Sequence, residues 1–200
     1  DYTLLAPHLF AHATTPEDMN RARWRDWVAS VEDALNILKG CTKHQVVMGL
    51  SMGGVLALMA AARFEVDAVV TFSAPCGLPP DPRAKYLKFA APFMRRVAKG
   101  TPDWQNLEAI KDHIDYPYYP SKAILQLMKM IEEMHISLSE ITAPALIIQS
   151  HGDHGIPSNS LDLIMAKIGS QEKESFWVEN SGHVIIEDID RTEVFKKINS

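Results

Sequence analysis

The feature that most constrains this chain is the run Gln45-Val46-Val47-Met48-Gly49-Leu50-Ser51-Met52-Gly53-Gly54-Val55-Leu56-Ala57-Leu58-Met59. Its first half, apolar and β-branched, predicts a buried strand, and the apolar residues around 57–62 predict a helix. Between them stands Gly49-Leu50-Ser51-Met52-Gly53, a Gly-x-Ser-x-Gly pattern. A serine pressed into a strand-to-helix turn takes strained backbone angles, and glycines two residues to either side let the backbones approach. The turn lifts the hydroxyl clear of the sheet. It also aims the Met52 N–H, at the helix N-terminus, at any negative charge that develops on a bound oxygen. The bare pattern arises by chance in about one chain in fifteen of this length, so alone it is equally a Gly/Ser turn closing a junction. It gains weight only if an acid and a histidine stand in suitable places.

Two hundred residues fit one domain with room for an inserted subdomain. Lys+Arg 20 against Asp+Glu 25 gives a net charge of -5, which argues against a nucleic-acid partner. No apolar run is long enough to span a bilayer, and none has the form of a signal peptide. Cys41 and Cys76 are too few for a disulfide framework and lack metal-ligand spacing, so they read as reduced thiols in a cytoplasmic setting. The chain starts Asp1-Tyr2-Thr3-Leu4-Leu5-Ala6-Pro7, without a methionine and already in an apolar run, which predicts an N-terminally truncated fragment of a longer protein.

In chain order, residues 2–6 predict a strand stopped by Pro7, followed by a loop with His8 and His12. Thr15-Pro16-Glu17-Asp18 carries the marks of a helix start. From Trp24, the apolar residues Trp27, Val28, Val31, Leu35 and Leu38 recur at helical spacing up to Gly40. Residues 66–72 predict another buried strand. The alternation of strand and helix to this point means a parallel sheet flanked by helices. From 77 to 139 it breaks: helical stretches at 86–98 and 121–134 flank an extended turn, Tyr116-Pro117-Tyr118-Tyr119-Pro120. This segment, with Phe89, Phe93, Met94, Leu127, Met128, Met130 and Met134, reads as a helical cap insertion at 77–139, between core segments 1–76 and 140–200. Such side chains suit adaptable apolar contacts, although most need only pack the insertion on the core. Alternation resumes with a strand at 145–150, a helix capped by Ser158 or Ser160, a strand at 175–178, and a last amphipathic piece with Val194, Phe195 and Ile198.

Ligand sites of parallel α/β sheets lie beyond the carboxyl ends of the strands. Ser51, Asp153 and His183 each fall just past such an end, in the order Ser, Asp, His used by Gly-x-Ser-x-Gly hydrolases. A serine hydroxyl is a poor nucleophile, so His183 would take its proton and Asp153 would fix the imidazole. Asp67 is the rival acid, but it precedes its strand and lies at the wrong edge. His151, Asp153 and His154 form a tight cluster that could ligate a metal, with no Glu or Cys companion. His8 and His12 could line a pocket or serve structure, and His44, His113 and His135 read as solvated or packed side chains.

Three segments together resemble one family: Gly49-Leu50-Ser51-Met52-Gly53-Gly54, Pro144-Ala145-Leu146-Ile147-Ile148-Gln149-Ser150-His151-Gly152-Asp153 with Ile156-Pro157, and Asn180-Ser181-Gly182-His183-Val184-Ile185. With them the chain resembles the α/β-hydrolase fold, and within it the bacterial carboxylesterase and monoacylglycerol lipase group. The resemblance implies Ser51, Asp153 and His183 as the catalytic residues and Met52 N–H as an oxyanion-hole donor. It also implies hydrolysis of a small-molecule ester with an apolar acyl chain, or of a monoacylglycerol, without metal or organic cofactor; it leaves the oligomeric state open. The departure from the family is that the N-terminal strands and the His-Gly loop supplying the second oxyanion donor do not occur in the sequence. The same trio could serve a thioesterase, a peptidase or a C-C bond hydrolase, or persist in a non-catalytic binding protein of the same fold.

Overall fold

In chain order the elements are α1 (Pro16–Met19), α2 (Trp24–Lys39), β1 (Val46–Leu50), α3 (Met52–Arg63), β2 (Ala68–Phe72), β3 (Arg96–Val97), α4 (Ala109–Asp112), β4 (Tyr119–Pro120) and α5 (Ser121–Ser137). They continue with a 3-10 turn at Leu138–Glu140, β5 (Ala145–Ser150), α6 (Ser160–Lys167), β6 (Lys173–Val178) and α7 (Arg191–Ile198). The structure, a computed structural model, describes residues 2–79, 86, 89, 91 and 94–199.

Four strands make one parallel sheet in the order β1-β2-β5-β6, with Leu50 opposite Phe72, Phe72 opposite Ile148 and Ser150 opposite Val178. Parallel neighbours need crossovers, and these lay helices on the sheet. Alternate residues of each strand face opposite ways. Val69 and Ile147 join one core with α2, α3, α5 and α6, whereas Val70, Phe72, Ile148 and Val178 join a smaller one closed by Ile185 and by Val194 of α7. Because all carboxyl ends point the same way, the loops after β1, β5 and β6 share one rim.

The local chemistry explains the flanking helices. Thr15 accepts the Asp18 N–H at 3.1 Å and caps α1. In α2, Trp24, Trp27, Val28, Ala34 and Leu35 fall on the buried side, and the Asp26 carboxylate accepts the Arg23 N–H at 2.8 Å. Helix α3 is buried from Gly54 through Ala61, as a helix enclosed by sheet, α2 and α5 must be. Trp27, completely buried, donates its indole N–H to the Phe10 carbonyl at 3.1 Å.

Several expectations need correction. Residues 2–6 form no strand: Tyr2 and Leu4 are fully or almost fully exposed. A strand exists only through a ladder, and these residues do not pair with β1, which remains an edge of the sheet with Val46 and Met48 about half exposed. Leu5 and Leu9 instead line a cavity of about 210 Å³ with Leu35, Val47, Met48 and Leu56. Of the helix expected at 86–98, positions 87, 88, 90, 92 and 93, Phe93 among them, lie outside the described residues, and it does not extend to its end. Arg96–Val97 pairs antiparallel with Tyr119–Pro120, so the extended turn is one side of a two-residue ladder. The α6 cap position is Asn159, with Ser160 already in the helix.

In the segment 77–139, α5 packs directly on α3 and α2, and Met130, Ile131 and Met134 are buried in the main core. This helix is thus welded to the core by dispersion and apolar burial. Met134→Ala should lower the unfolding free energy by about 2–5 kcal/mol, as truncation of a sealed side chain does, in a single urea transition. A separate early transition with the main one unmoved would mean that α5 unfolds independently of the sheet.

Candidate active site

The site starts from a backbone strain. Ser51 has φ 53 and ψ -119, in the half of the map that a residue bearing Cβ avoids. Its N–H is tied to the Phe72 carbonyl at 2.8 Å, and its carbonyl accepts the N–H of Gly54 and Val55 at 2.9 and 3.2 Å. The sheet and the first turn of α3 therefore hold both sides of the strained residue. Ser73, at the end of the neighbouring strand, is left-handed too, with φ 47.

The two motif glycines do different jobs. A Cβ on Gly49 would stand 2.0 Å from the Gly53 carbonyl oxygen, which no relaxation of side chains relieves. At Gly53 a Cβ meets nothing within 4 Å. The close approach of strand to helix thus depends on Gly49, and the expectation that both flanking glycines are needed for it holds only for the first. Gly54 supplies a further contact, since a Cβ there would lie 2.7 Å from the Ala74 Cβ.

The rim brings Ser51, His183 and Asp153 together in one hydrogen-bonded chain. Ser51 Oγ lies 2.8 Å from His183 Nε2, and His183 Nδ1 lies 3.0 and 3.1 Å from the two Asp153 oxygens. An ionised carboxylate only accepts, so the proton of the neutral imidazole sits on Nδ1 and leaves Nε2 as acceptor for the serine hydroxyl. The Asp153 side chain is wholly buried, whereas the imidazole keeps 22% of its surface exposed. Asp153 also accepts the Gly155 N–H at 2.8 Å. A Cβ on Gly155 would stand 2.9 Å from the His183 ring, so any side chain there would press the imidazole off its partner.

Side-chain hydrogen bonds hold the loop that carries His183. Ser150 Oγ donates to the Ser181 carbonyl and accepts the Gly152 N–H at 3.1 Å, joining the ends of β5 and β6. Asp190 accepts the Asn180 N–H at 2.7 Å and the Ser181 hydroxyl at 3.0 Å. Ser150, Asn180 and Ser181 stand within the segments that carry the family resemblance, whereas Asp188 and Asp190 lie outside them. Their place shortly after the histidine is the only local signal for those two acids.

Other candidates are engaged elsewhere. Asp67 lies at the opposite edge, where a hydrogen bond from His44 and another from the Gln45 N–H hold its carboxyl below the usual range. His151 stacks on Trp177 at 4.4 Å, and His154 is exposed. Among the described residues no group of three His, Cys, Asp or Glu side chains is placed to hold a metal ion. His12 sits edge-on to Tyr116 at 6.4 Å between Ala11 and Ala13, both left-handed, and burial, with His8 a smaller contribution, lowers its pKa. His113 lies against Trp104 and Glu187. His135 bonds to the Cys76 carbonyl and to Lys167, beside a Cys76 thiol that burial pushes up to about 11.

Fold and rim define an α/β hydrolase: a parallel sheet, a strained serine between strand and helix, and acid and histidine on later loops. Residues 12–190 match the family model Hydrolase_4, described as serine aminopeptidase, S33, and the chain belongs to that family. A thermostable monoacylglycerol lipase of Bacillus sp. (strain H-257) is 33% identical over 197 residues, covering 98% of this chain and 77% of that protein. A carboxylesterase of Bacillus subtilis (strain 168) is 25% identical over 202 residues, covering 98% and 79%. Among solved structures, one from work on LipS and LipT, two metagenome-derived lipolytic enzymes, matches with a TM-score of 0.89 and 31% identity over 96% of this chain and 78% of that one. Among the described residues no helix is long and apolar enough to cross a membrane.

The glycine asymmetry gives a paired prediction. Gly49→Ala should destabilise the protein by about 3 kcal/mol or more through overpacking against backbone, while Gly53→Ala should leave the melting temperature within about 2 °C of the parent. Thermal unfolding of the two variants checks it, and equal effects would contradict the geometry.

Proposed function

We propose that the protein is a serine hydrolase that cleaves carboxylic esters, with Ser51 as nucleophile, His183 as general base and then acid, and Asp153 as the group that orients the imidazole. The observation that carries this is the 2.8 Å contact of Ser51 Oγ with an imidazole nitrogen whose other nitrogen is committed to a buried carboxylate. In this arrangement His183 takes the hydroxyl proton as Oγ attacks the ester carbonyl. The imidazolium so formed is stabilised by Asp153, then protonates the departing alkoxide and leaves an acyl-enzyme. Water activated by the same imidazole releases the acid and restores Ser51.

The tetrahedral oxygen needs donors fixed in advance. Met52, the first residue of a 12-residue helix, has an N–H with no carbonyl partner inside that helix, and the helix dipole adds to its attraction for the oxyanion. We assign it as one oxyanion donor. The names of the two curated relatives, a monoacylglycerol lipase and a carboxylesterase, support an ester with an apolar acyl chain as substrate. Partly buried Met128 of α5, on the segment 77–139 that we assign as a cap, suits such a chain. Two free cysteines, Cys41 exposed and Cys76 buried, support a reducing, cytoplasmic setting.

The family description favours a second reading, cleavage of a peptide by the same residues. A panel of p-nitrophenyl esters of increasing chain length, run beside aminoacyl p-nitroanilides, separates the two. The ester reading expects turnover of the esters, labelling of Ser51 by a fluorophosphonate, and loss of ester turnover by about 10⁴-fold or more in Ser51→Ala. Folded protein that neither labels nor turns over esters would defeat it, and preference for the anilides would transfer the assignment to peptides.

A further inference from the structure

Two buried carboxylates beside the proton relay, Asp188 and Asp190, take no part in the chemistry above, and of these Asp188 reaches beyond its own loop. Asp188 is 1% exposed and accepts backbone N–H groups from two parts of the chain. One set is local: Gly182, the residue before His183, at 2.7 Å and Ile189 at 2.9 Å. The other comes from the insertion, eighty residues away in sequence: Asn106 at 2.6 Å and Gln105 at 3.1 Å. A carboxylate taken out of water needs such a set of donors, and once satisfied it resists any movement that would break them.

The same short stretch of the insertion also touches the acid loop. Asp103 Oδ2 accepts the His154 N–H at 2.8 Å, one residue past Asp153. Its backbone oxygen lies 2.4 Å from where a Cβ on Gly182 would stand, so residue 182 is held to glycine by that contact. The loop bearing His183 and the loop bearing Asp153 are therefore both referenced to residues 103–106. Asn106 Nδ2 adds a bond to the Glu187 carbonyl at 3.4 Å.

We propose that residues 103–106 brace the Asp153–His183 pair, and that Asp188 is the positioning residue through which the brace sets the imidazole against Ser51. The inference deepens the hydrolase reading and rests on it. Asp188 touches no reacting atom; it acts by fixing Gly182, and so the exit direction of the chain at His183. Displacing a general base by a fraction of an ångström to an ångström costs turnover, with substrate binding left largely alone.

The test is steady-state kinetics of Asp188→Asn and Asp103→Ala on a p-nitrophenyl ester, each normalised to the number of sites titrated by a fluorophosphonate burst. In Asp188→Asn the amide NH2 replaces one acceptor and faces a backbone N–H, so kcat per titrated site should fall about 10- to 100-fold with KM within about threefold. Asp103→Ala, which gives up a single N–H bond at the acid loop, should lower kcat per site about three- to tenfold. A residue that only maintains the fold would reduce the number of titratable sites and leave kcat per site unchanged, and that result in the two folded variants overturns the proposal. If Asp188→Asn does not fold, Asp103→Ala decides alone: parental kcat per site overturns the brace, and the stated loss supports it. Failure of the parent protein to turn over any ester would instead remove the hydrolase reading, so the two failures are distinguishable.

Discussion

The site hangs on the close approach of the backbone at Gly49 to the backbone at Gly53. That contact, too short for any side chain, is what forces Ser51 into its left-handed conformation and raises its hydroxyl above the end of the sheet. The strain, of order 1–3 kcal/mol for a residue in such a region, persists because both flanks are over-determined. The Ser51 N–H is bound to the Phe72 carbonyl at the end of β2, and its carbonyl to the first turn of α3. Pulling the serine back to ordinary angles would break the sheet or the helix, and each is tied to a core in which residues such as Leu58 and Ile147 are sealed from water.

From that fixed point the chemistry follows by distance and burial. Asp153 is dry and held by the Gly155 N–H, so its charge is directed at the one imidazole N–H within reach. His183 keeps a partly wet face, which suits the proton transfers to alkoxide and from water proposed for it. The parallel sheet makes this economy possible, because loops 132 residues apart in sequence emerge side by side when every strand runs the same way.

Much of this could be read from the sequence, for a physical reason. Ser51, Asp153 and His183 each follow a strand and sit beside glycines, so the strand, its end and the candidate residue are all encoded within about ten neighbouring positions. Properties that depend on a distant partner were not readable. Residues 2–6 have the composition of a strand but no ladder, and the β3–β4 pair is too short to carry a period. The motif presents Gly49 and Gly53 as equals, although only the first meets backbone. Asp188 and residues 103–106 find each other across more than eighty residues, and no local pattern marks that meeting.

The proposed proton relay stands or falls with the directed bond from His183 Nδ1–H to Asp153, with Nε2 left for Ser51. Proton NMR of the protein tests it most directly, since an imidazole N–H bound to a buried carboxylate resonates far downfield of ordinary amides. One such signal should survive Ser51→Ala and vanish in His183→Ala and in Asp153→Ala. A folded protein without the signal, or a signal that persists after His183 is removed, would contradict it.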